Sequence, residues 1–415
     1  MALPGFRDFY PDDCATRNTI FARWRAVAHR YGFVEYDGPP LEPLDLFTKK
    51  SGDEIVTQLY HFKDKGDRDV ALRPEMTPTL ARLVTARHKD FKKPLKWFSI
   101  PQVYRYERPQ KGRGREHYQL NCDIIGEAGL EADIELIALL IDVLRAFGLG
   151  ENDFVIRLSD RQFWTDFMNA KAVPEEHRYA LIQAIDKSER ESREKTAEKL
   201  GPLTEEVFAV LEKGAASARL DTIETGLRHR GLDKFVQRDF TVVRGLAYYT
   251  GVVFEAFDRT GEFRAIAGGG RYDTLLKNLG GVDLPALGFG IGDMVLGEIL
   301  RNRTESLTMV IGDEAPGLYV AIPNESFRPQ AMAFVQRFRD VLKERKIVGW
   351  IDYPFHPMKR DKQFAAAKGR LASLFCVVDE RINENILEVH DFVAGGENLK
   401  VEVEEWLKRP NPFHL

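Results

Sequence analysis

The feature that most constrains this chain is an interruption in its strand patterning. Strand-like segments run to about residue 159, stop, and resume near residue 238. Between them lies a stretch rich in charge and helix formers, including "DKSERESREKTAEKLGPLTEEVFAVLEK". We read 160–237 as a helical insertion between two strand-bearing segments, 1–159 and 238–303. Ahead of it, Ile20, Phe21, Trp24, Val27, Ala28 and Tyr31 fall on one face of a helix expected over 15–31, and Gly32 ends it. The segment 131–147 reads as an amphipathic helix, 95–106 as a strand, and "HYQLNCDIIGE" as its return strand. Beyond a linker at 304–316, residues 317–415 alternate strand and helix, with helices expected near 329–346, 358–370 and 399–409. That alternation predicts a small α/β domain with a largely parallel sheet.

Bulk properties remove several classes. The formal net charge is −4, so any contact with nucleic acid must come from local patches. Cys14, Cys122 and Cys376 are far apart, no Cys/His cluster has zinc-ligand spacing, and sparse cysteine use suggests a reducing compartment. The longest apolar run, "IELIALLIDVL", is short and carries Glu135 and Asp142, which suits a soluble helix and not a membrane span. "MALPGFRDFYPDD" has no basic start followed by an apolar stretch. The expectation is a cytoplasmic protein with no zinc and no membrane association.

One local patch is conspicuous. "RYERPQKGRGREHYQL", residues 105–120, crowds six Arg, Lys or His into sixteen positions around a turn between strands. Alternate strand residues share a face, which pairs Arg105 with Glu107 and Gln119 with Asp123. The loop carries Gln110, Lys111, Arg113 and Arg115. Such a hairpin suits a nucleotide triphosphate, with a phosphate-rich partner at the loop; a solvated hairpin would read the same. In "ALRPEMTPTLAR", Arg73, Pro74, Glu75 and Thr77 sit where a strand turns into a helix, and Glu75 there is either a ligand or a helix-capping acid. "VVRGLAYYTG" sets Arg244 past an apolar strand beside Tyr248 and Tyr249, and "IAGGGRYD" puts three glycines before Arg271 and Tyr272. Glycines there allow close approach of backbone to a ligand, or merely a bend. "GFGIG" does not meet the dinucleotide-binding pattern, and there is no Walker lysine motif.

Taken together, "RYERPQKGRGREHYQLNCDIIG" resembles motif 2 of the histidyl-tRNA synthetases, which are class II aminoacyl-tRNA synthetases. "LRPEMT", "RGLAYYTG" and "GGGRYD" resemble three further signatures in that family's order, and "PGFRDFYP" and "LFTKKSGDEIV…LYHFKD" extend the likeness. The resemblance implies an α+β fold: an antiparallel-sheet catalytic core with the helical insertion, and a C-terminal α/β domain (317–415) that binds the anticodon. It implies a homodimer that activates histidine with ATP and Mg²⁺ and transfers it to the 3′ end of histidine tRNA. By the same resemblance, Arg105 holds the α-phosphate, and Arg244 bridges that phosphate and the histidine carboxylate. Glu107, Arg113 and Gln119 contact ATP. Glu75 and Thr77 take the histidine amino group, and Gln119 lies near its carboxylate. Asp123, Tyr248, Tyr249 and Tyr272 enclose the imidazole. Gln110, Lys111 and Arg115 face the tRNA acceptor end.

Two positions depart from the family's pattern. Ala247 stands where many members have Asp, and Val295 stands at the arginine of motif 3. A competing expectation is a catalytically silent paralogue serving as regulatory subunit of the ATP phosphoribosyltransferase of histidine biosynthesis. Such paralogues usually lack the anticodon domain, whereas this chain keeps its C-terminal α/β pattern.

Overall fold

A computed structural model describes residues 2–48, 57–110, 112–244, 248–301, 315–396 and 398–415. Lys111, Ala247, residues 49–56 of the "LFTKKSGDEIV" segment and nearly all of the expected linker lie outside the described residues. The chain forms two compact units, Met1–Gly312 and Asp313–Leu415.

The first unit is built on a nine-stranded sheet. Across it the strands run Val34–Glu35, Leu95–Ser99, Glu116–Ile125, Ala286–Gly292, Ala267–Arg271, Val252–Asp258, Phe154–Asp160 and Val236–Arg238. Gln102–Tyr104 pairs with the start of Glu116–Ile125. The two outermost pairings are parallel and all the inner ones antiparallel. The strand expected over 95–106 is therefore two strands. Pro101 has no N–H for the ladder and interrupts it, although its carbonyl still accepts from the Gln119 N–H at 3.1 Å.

The first helix starts earlier than its apolar stripe, at Pro11, where Pro at the N-terminus and Asp12 and Asp13 in the first turn favour initiation. Ile20, Trp24, Val27 and Ala28 are buried against the helix Leu130–Arg145. That second helix is amphipathic as expected, but its polar stripe is narrow: Ala132 to Leu144 is buried except Glu135 and Asp142, which share one face with the exposed Glu131 and Arg145. The sheet covers one side, and the first helix and Ala218–His229 cover the other. Its polar groups are matched, Glu135 by Lys96 and Arg230 (2.8 Å each) and Asp142 by the Tyr31 hydroxyl at 2.7 Å.

Five helices occupy 161–229: Arg161–Ala170, Glu175–Asp186, Arg193–Leu200, Thr204–Lys213 and Ala218–His229. Asp160, Ser192 and Ser217 cap three of them by accepting backbone N–H groups. Leu220, Ile223 and Leu227 join the sheet's own apolar core, and Val236–Arg238 returns the chain to the sheet edge.

The second unit has a five-stranded sheet in the order Trp350–Asp352, Gly317–Ala321, Leu374–Val377, Ile386–Asp391, Asn398–Glu402. The first two pairings are parallel and the last two antiparallel, so the sheet is mixed and not largely parallel. The helix expected over 399–409 is a strand to Glu402 and a helix only over Val403–Lys408. Leu399 and Val401 turn inward while Lys400 and Glu402 stay exposed, a period of two that favours the ladder.

Candidate active site

The site lies on one face of the large sheet, where three glycines strip a strand of side chains. Gly288, Gly290 and Gly292 alternate along Ala286–Gly292, beside Glu116–Ile125. A Cβ at Gly288 would run into the Asp123 carboxylate, and one at Gly290 would stand 2.6 Å from Gln119 Nε2. The strand spelled "GFGIG" is thus a floor over which Asp123 and Gln119 lie flat. Gly268 does the same on Ala267–Arg271, where a Cβ would overlap the Arg244 guanidinium.

Two joined cavities sit on this floor. The smaller, about 70 Å³, is lined by Glu75, Thr77, Gln119, Asp123, Tyr248, Tyr249 and Tyr272. The larger, about 680 Å³, takes in Glu107, Gln110, Arg113, His117, Glu255 and Val295. Arg105, Gln119 and Arg244 line both and therefore stand at their junction.

At one end of the small cavity the Tyr272 hydroxyl donates to Asp123. Burial raises the Asp123 pKa to about 7 even though that hydrogen bond opposes the shift. At the other end Glu75 is buried, and its pKa is raised by burial against the pull of Arg105, Tyr248 and Arg244. Tyr248 donates to Glu75 Oε2 at 3.2 Å, while Glu75 Oε1 is buried without a hydrogen-bond partner among the described residues. Glu75 does not cap the following helix: Thr77–Arg87 has Met76 at its N-cap and no side-chain cap bond.

Arg105 lies just past the end of Gln102–Tyr104, and its Nε donates to the Pro74 carbonyl at 2.9 Å. The apolar run before Arg244 is not the strand its sequence predicts. Arg244 lies in an irregular segment with φ +51°, and its Nη1 donates to Glu255 Oε1 at 2.7 Å. Its Nε is buried without a partner among the described residues, and its guanidinium stands 5.4 Å from the Tyr249 ring centroid. Glu107 forms an ion pair with Arg113. Gln110 and Arg113 close the loop through backbone hydrogen bonds. Arg115 folds back instead of reaching outward, donating to the Glu107 carbonyl and lying 4.0 Å over the Tyr106 ring.

Sequence reasoning missed His117, Glu255 and two arginines, Arg190 and Arg264, that line the large cavity. His117 is kept neutral: burial, Arg105 and Arg7 lower its pKa to about 3. Asp293, at the start of the helix that carries Val295, anchors the site from beneath. It accepts from the Tyr118 N–H and from Arg7, both at 2.9 Å, and Arg7 also donates to Glu116 at 2.7 Å. Among the described residues no three His, Cys, Asp or Glu side chains group as they would around a metal ion. No helix among them is long and apolar enough to cross a membrane.

An antiparallel sheet with helices behind it, and an arginine-rich cleft on its open face, is the arrangement of a class II aminoacyl-tRNA synthetase. A crystal structure of histidyl-tRNA synthetase from Nostoc sp. PCC 7120 superposes with a TM-score of 0.77, covering 99% of both chains at 21% identity. The chain belongs to the histidyl-tRNA synthetase family, whose description it matches over residues 5–292. It is 46% identical to a histidine–tRNA ligase of Opitutus terrae, covering 96% of this chain and 95% of that one. It is 41% identical to the chloroplastic/mitochondrial histidine–tRNA ligase of Arabidopsis thaliana, over 77% of this chain and 70% of that one.

Proposed function

We propose that this chain is a histidine–tRNA ligase that joins histidine to the 3′ end of histidine tRNA through a histidyl-adenylate. One observation carries the assignment of roles: Arg105 and Arg244 stand where a small polar cavity opens into a large cationic one. Histidine fits the small cavity, with its ammonium on the orphaned Glu75 oxygen and Thr77 beside it. Its imidazole N–H meets Asp123, which Tyr272 holds in place, and Tyr248 and Tyr249 wall the pocket. Its carboxylate then points at the junction. ATP lies in the large cavity, with Glu107, Arg113 and Gln119 against it and its α-phosphate at Arg105.

The carboxylate oxygen attacks the α-phosphorus, the bond to the bridging oxygen breaks, and pyrophosphate leaves with the electron pair. Charge builds on phosphate oxygens, so fixed guanidiniums do the work, together with the Mg²⁺ that arrives on the triphosphate. A terminal ribose hydroxyl of the tRNA next attacks the adenylate carbonyl and AMP departs. Gln110, Lys111 and Arg115 are our assignment for the acceptor end, with Arg115 acting through the loop it braces. A silent regulatory paralogue would leave the Arg105–Arg244 junction without a task.

We assign anticodon binding to the unit from 317 onward. Around its helix Arg360–Gly369, Arg360 pairs with Glu388 and Arg370 with Asp352, which leaves Lys359 and Lys362 for phosphates, while Lys368 lies 5.0 Å over the Phe364 ring and the exposed Phe355 is open to a base. The wild-type chain supports histidine-dependent ATP–pyrophosphate exchange and charges histidine tRNA. Removal of residues 316–415 spares much of the exchange and abolishes most of the charging. Absence of exchange in the full chain would sink the ligase reading, and unchanged charging by the truncated chain would sink the anticodon assignment.

The protein works as a homodimer in the cytoplasm. The first helix spends its apolar face inside its own chain, but Tyr10, Val34, Phe62 and Tyr106 remain exposed for a partner, and Cys14, Cys122 and Cys376 are free thiols. Sedimentation at micromolar concentration gives twice the 47.4 kDa of one chain; a single species of 47.4 kDa would rule the dimer out.

A further inference from the structure

The large cavity carries cations that its own carboxylates do not neutralise. Glu107 is committed to Arg113, Glu255 to Arg244, and Glu189 to Arg157. Asp186 acts on Arg161 and Arg244. Arg190 and Arg264, which also line the cavity, make no side-chain hydrogen bond or ion pair among the described residues. They come from separate segments. Arg190 follows the helix Glu175–Asp186, and Arg264 lies in the connection from Val252–Asp258 to Ala267–Arg271. They nevertheless converge. Burial lowers the Arg264 pKa, and the like charges of Arg190 and Arg105 lower it further. Arg190 in turn acts on Glu255, the partner of Arg244. Glu255, already paired with Arg244, only partly offsets these like charges; brought together they oppose folding, and a bound polyanion removes that cost. Val295, in the same lining, offers only methyl groups.

We propose that Arg190 and Arg264 hold the β- and γ-phosphates of ATP, and the pyrophosphate that leaves, beyond the α-phosphate site at Arg105 and Arg244. This rests on the reading that the large cavity takes ATP. It deepens that reading by giving the helical segment 161–229 a direct part in catalysis, through Arg190. It also accounts for a cavity that works with valine at position 295. When the bond between the α-phosphorus and its bridging oxygen breaks, the electron pair departs on pyrophosphate. Two guanidiniums already in place meet that charge without reorganisation.

The test compares direct binding of ATP, AMP and inorganic pyrophosphate, with Mg²⁺, to wild type and to Arg190→Ala, Arg264→Ala and the two Lys variants. Each Ala variant should bind ATP and pyrophosphate about tenfold more weakly, an effect that shrinks with added salt. AMP and histidine binding should hold within about twofold, since neither reaches the outer phosphates. The Lys variants should recover most of the pyrophosphate affinity. Equal losses for ATP and AMP would mark the arginines as structural and overturn the proposal, as would unaltered ATP binding. A wild type that prefers ATP to AMP through these arginines but catalyses no exchange would instead overturn the ligase reading and leave the phosphate subsite standing.

Discussion

Replacing Arg244 by Lys lowers histidine-dependent ATP–pyrophosphate exchange by about 10²–10³-fold, while the protein stays folded. The expectation comes from how much of the structure is spent on placing one guanidinium. Its residue takes φ +51°, a left-handed conformation that non-glycine residues hold only when their surroundings impose it. Arg161 helps impose it by donating to the Arg244 carbonyl at 3.2 Å. Glu255 fixes Nη1 at 2.7 Å, and the bare backbone at Gly268 leaves room for the group to lie on the sheet. Nε has no partner among the described residues. The fork therefore has donors left for the histidine carboxylate and the α-phosphate together, which fixes the line of attack. Lysine carries the charge as a point on a flexible stem and cannot hold Glu255 and bridge two oxyanions at once. The measurement is exchange at saturating histidine and ATP, with thermal unfolding as the control. Near-normal exchange by the Lys variant would remove Arg244 from the catalytic step.

Arg244 also shows where sequence reading stops. Its neighbours in the chain look like strand, but Arg161 holds its carbonyl while Glu255 and the bare Gly268 place its guanidinium, and none of the three is adjacent to it. Asp123 and Gln119 were easier to place, because alternation along one strand puts both on the same face and the ladder kept that register. The glycines at 288, 290 and 292 were visible but had no reading without the neighbouring strand whose side chains they accommodate. The helix Leu130–Arg145 was legible as amphipathic, but the width of its buried face was not. Its sequence shows how apolar it is, but not that Ala218–His229, some ninety residues on, covers a second side. In the C-terminal unit, strand–helix alternation does suggest parallel pairing. It does not specify the antiparallel return of Ile386–Asp391, which the chain makes through the 3-10 turn Glu380–Glu384 and not through a crossover helix. Arg190 and Arg264 carry no local signature at all. Each is a single arginine in an irregular segment, and only the fold brings their charges to one cavity.

The second large effect is expected at Asp123, and it separates function from stability by sign. Asp123→Asn keeps the side chain's shape and a carbonyl oxygen but removes the charge. In the free protein burial raises the Asp123 pKa from 3.8 to about 7. The folded state thus holds a proton across that window that the unfolded state has already released. Stability contributed through this group is full below pH about 4 and falls as pH rises towards 7, by up to about 1.4 kcal/mol per pH unit. Glu75 and Glu255 are raised in the same direction, so the informative quantity is the difference between wild type and variant. Without histidine, Asp123→Asn should gain stability relative to wild type between pH 5 and pH 8. Histidine binding should move the other way. An imidazole titrates near pH 6.5, close to Asp123, so the pair shares one proton when it is buried together. The charged hydrogen bond it forms is lost in the variant. Removing one partner of a buried charged pair costs about 2–5 kcal/mol, so histidine affinity should fall on the order of a hundredfold, with ATP affinity little changed. Calorimetric titrations with each ligand and unfolding curves at the two pH values measure all of this. A variant that loses histidine and ATP binding together, or whose stability difference from wild type is the same at both pH values, would show that Asp123 shapes the pocket without reading the imidazole.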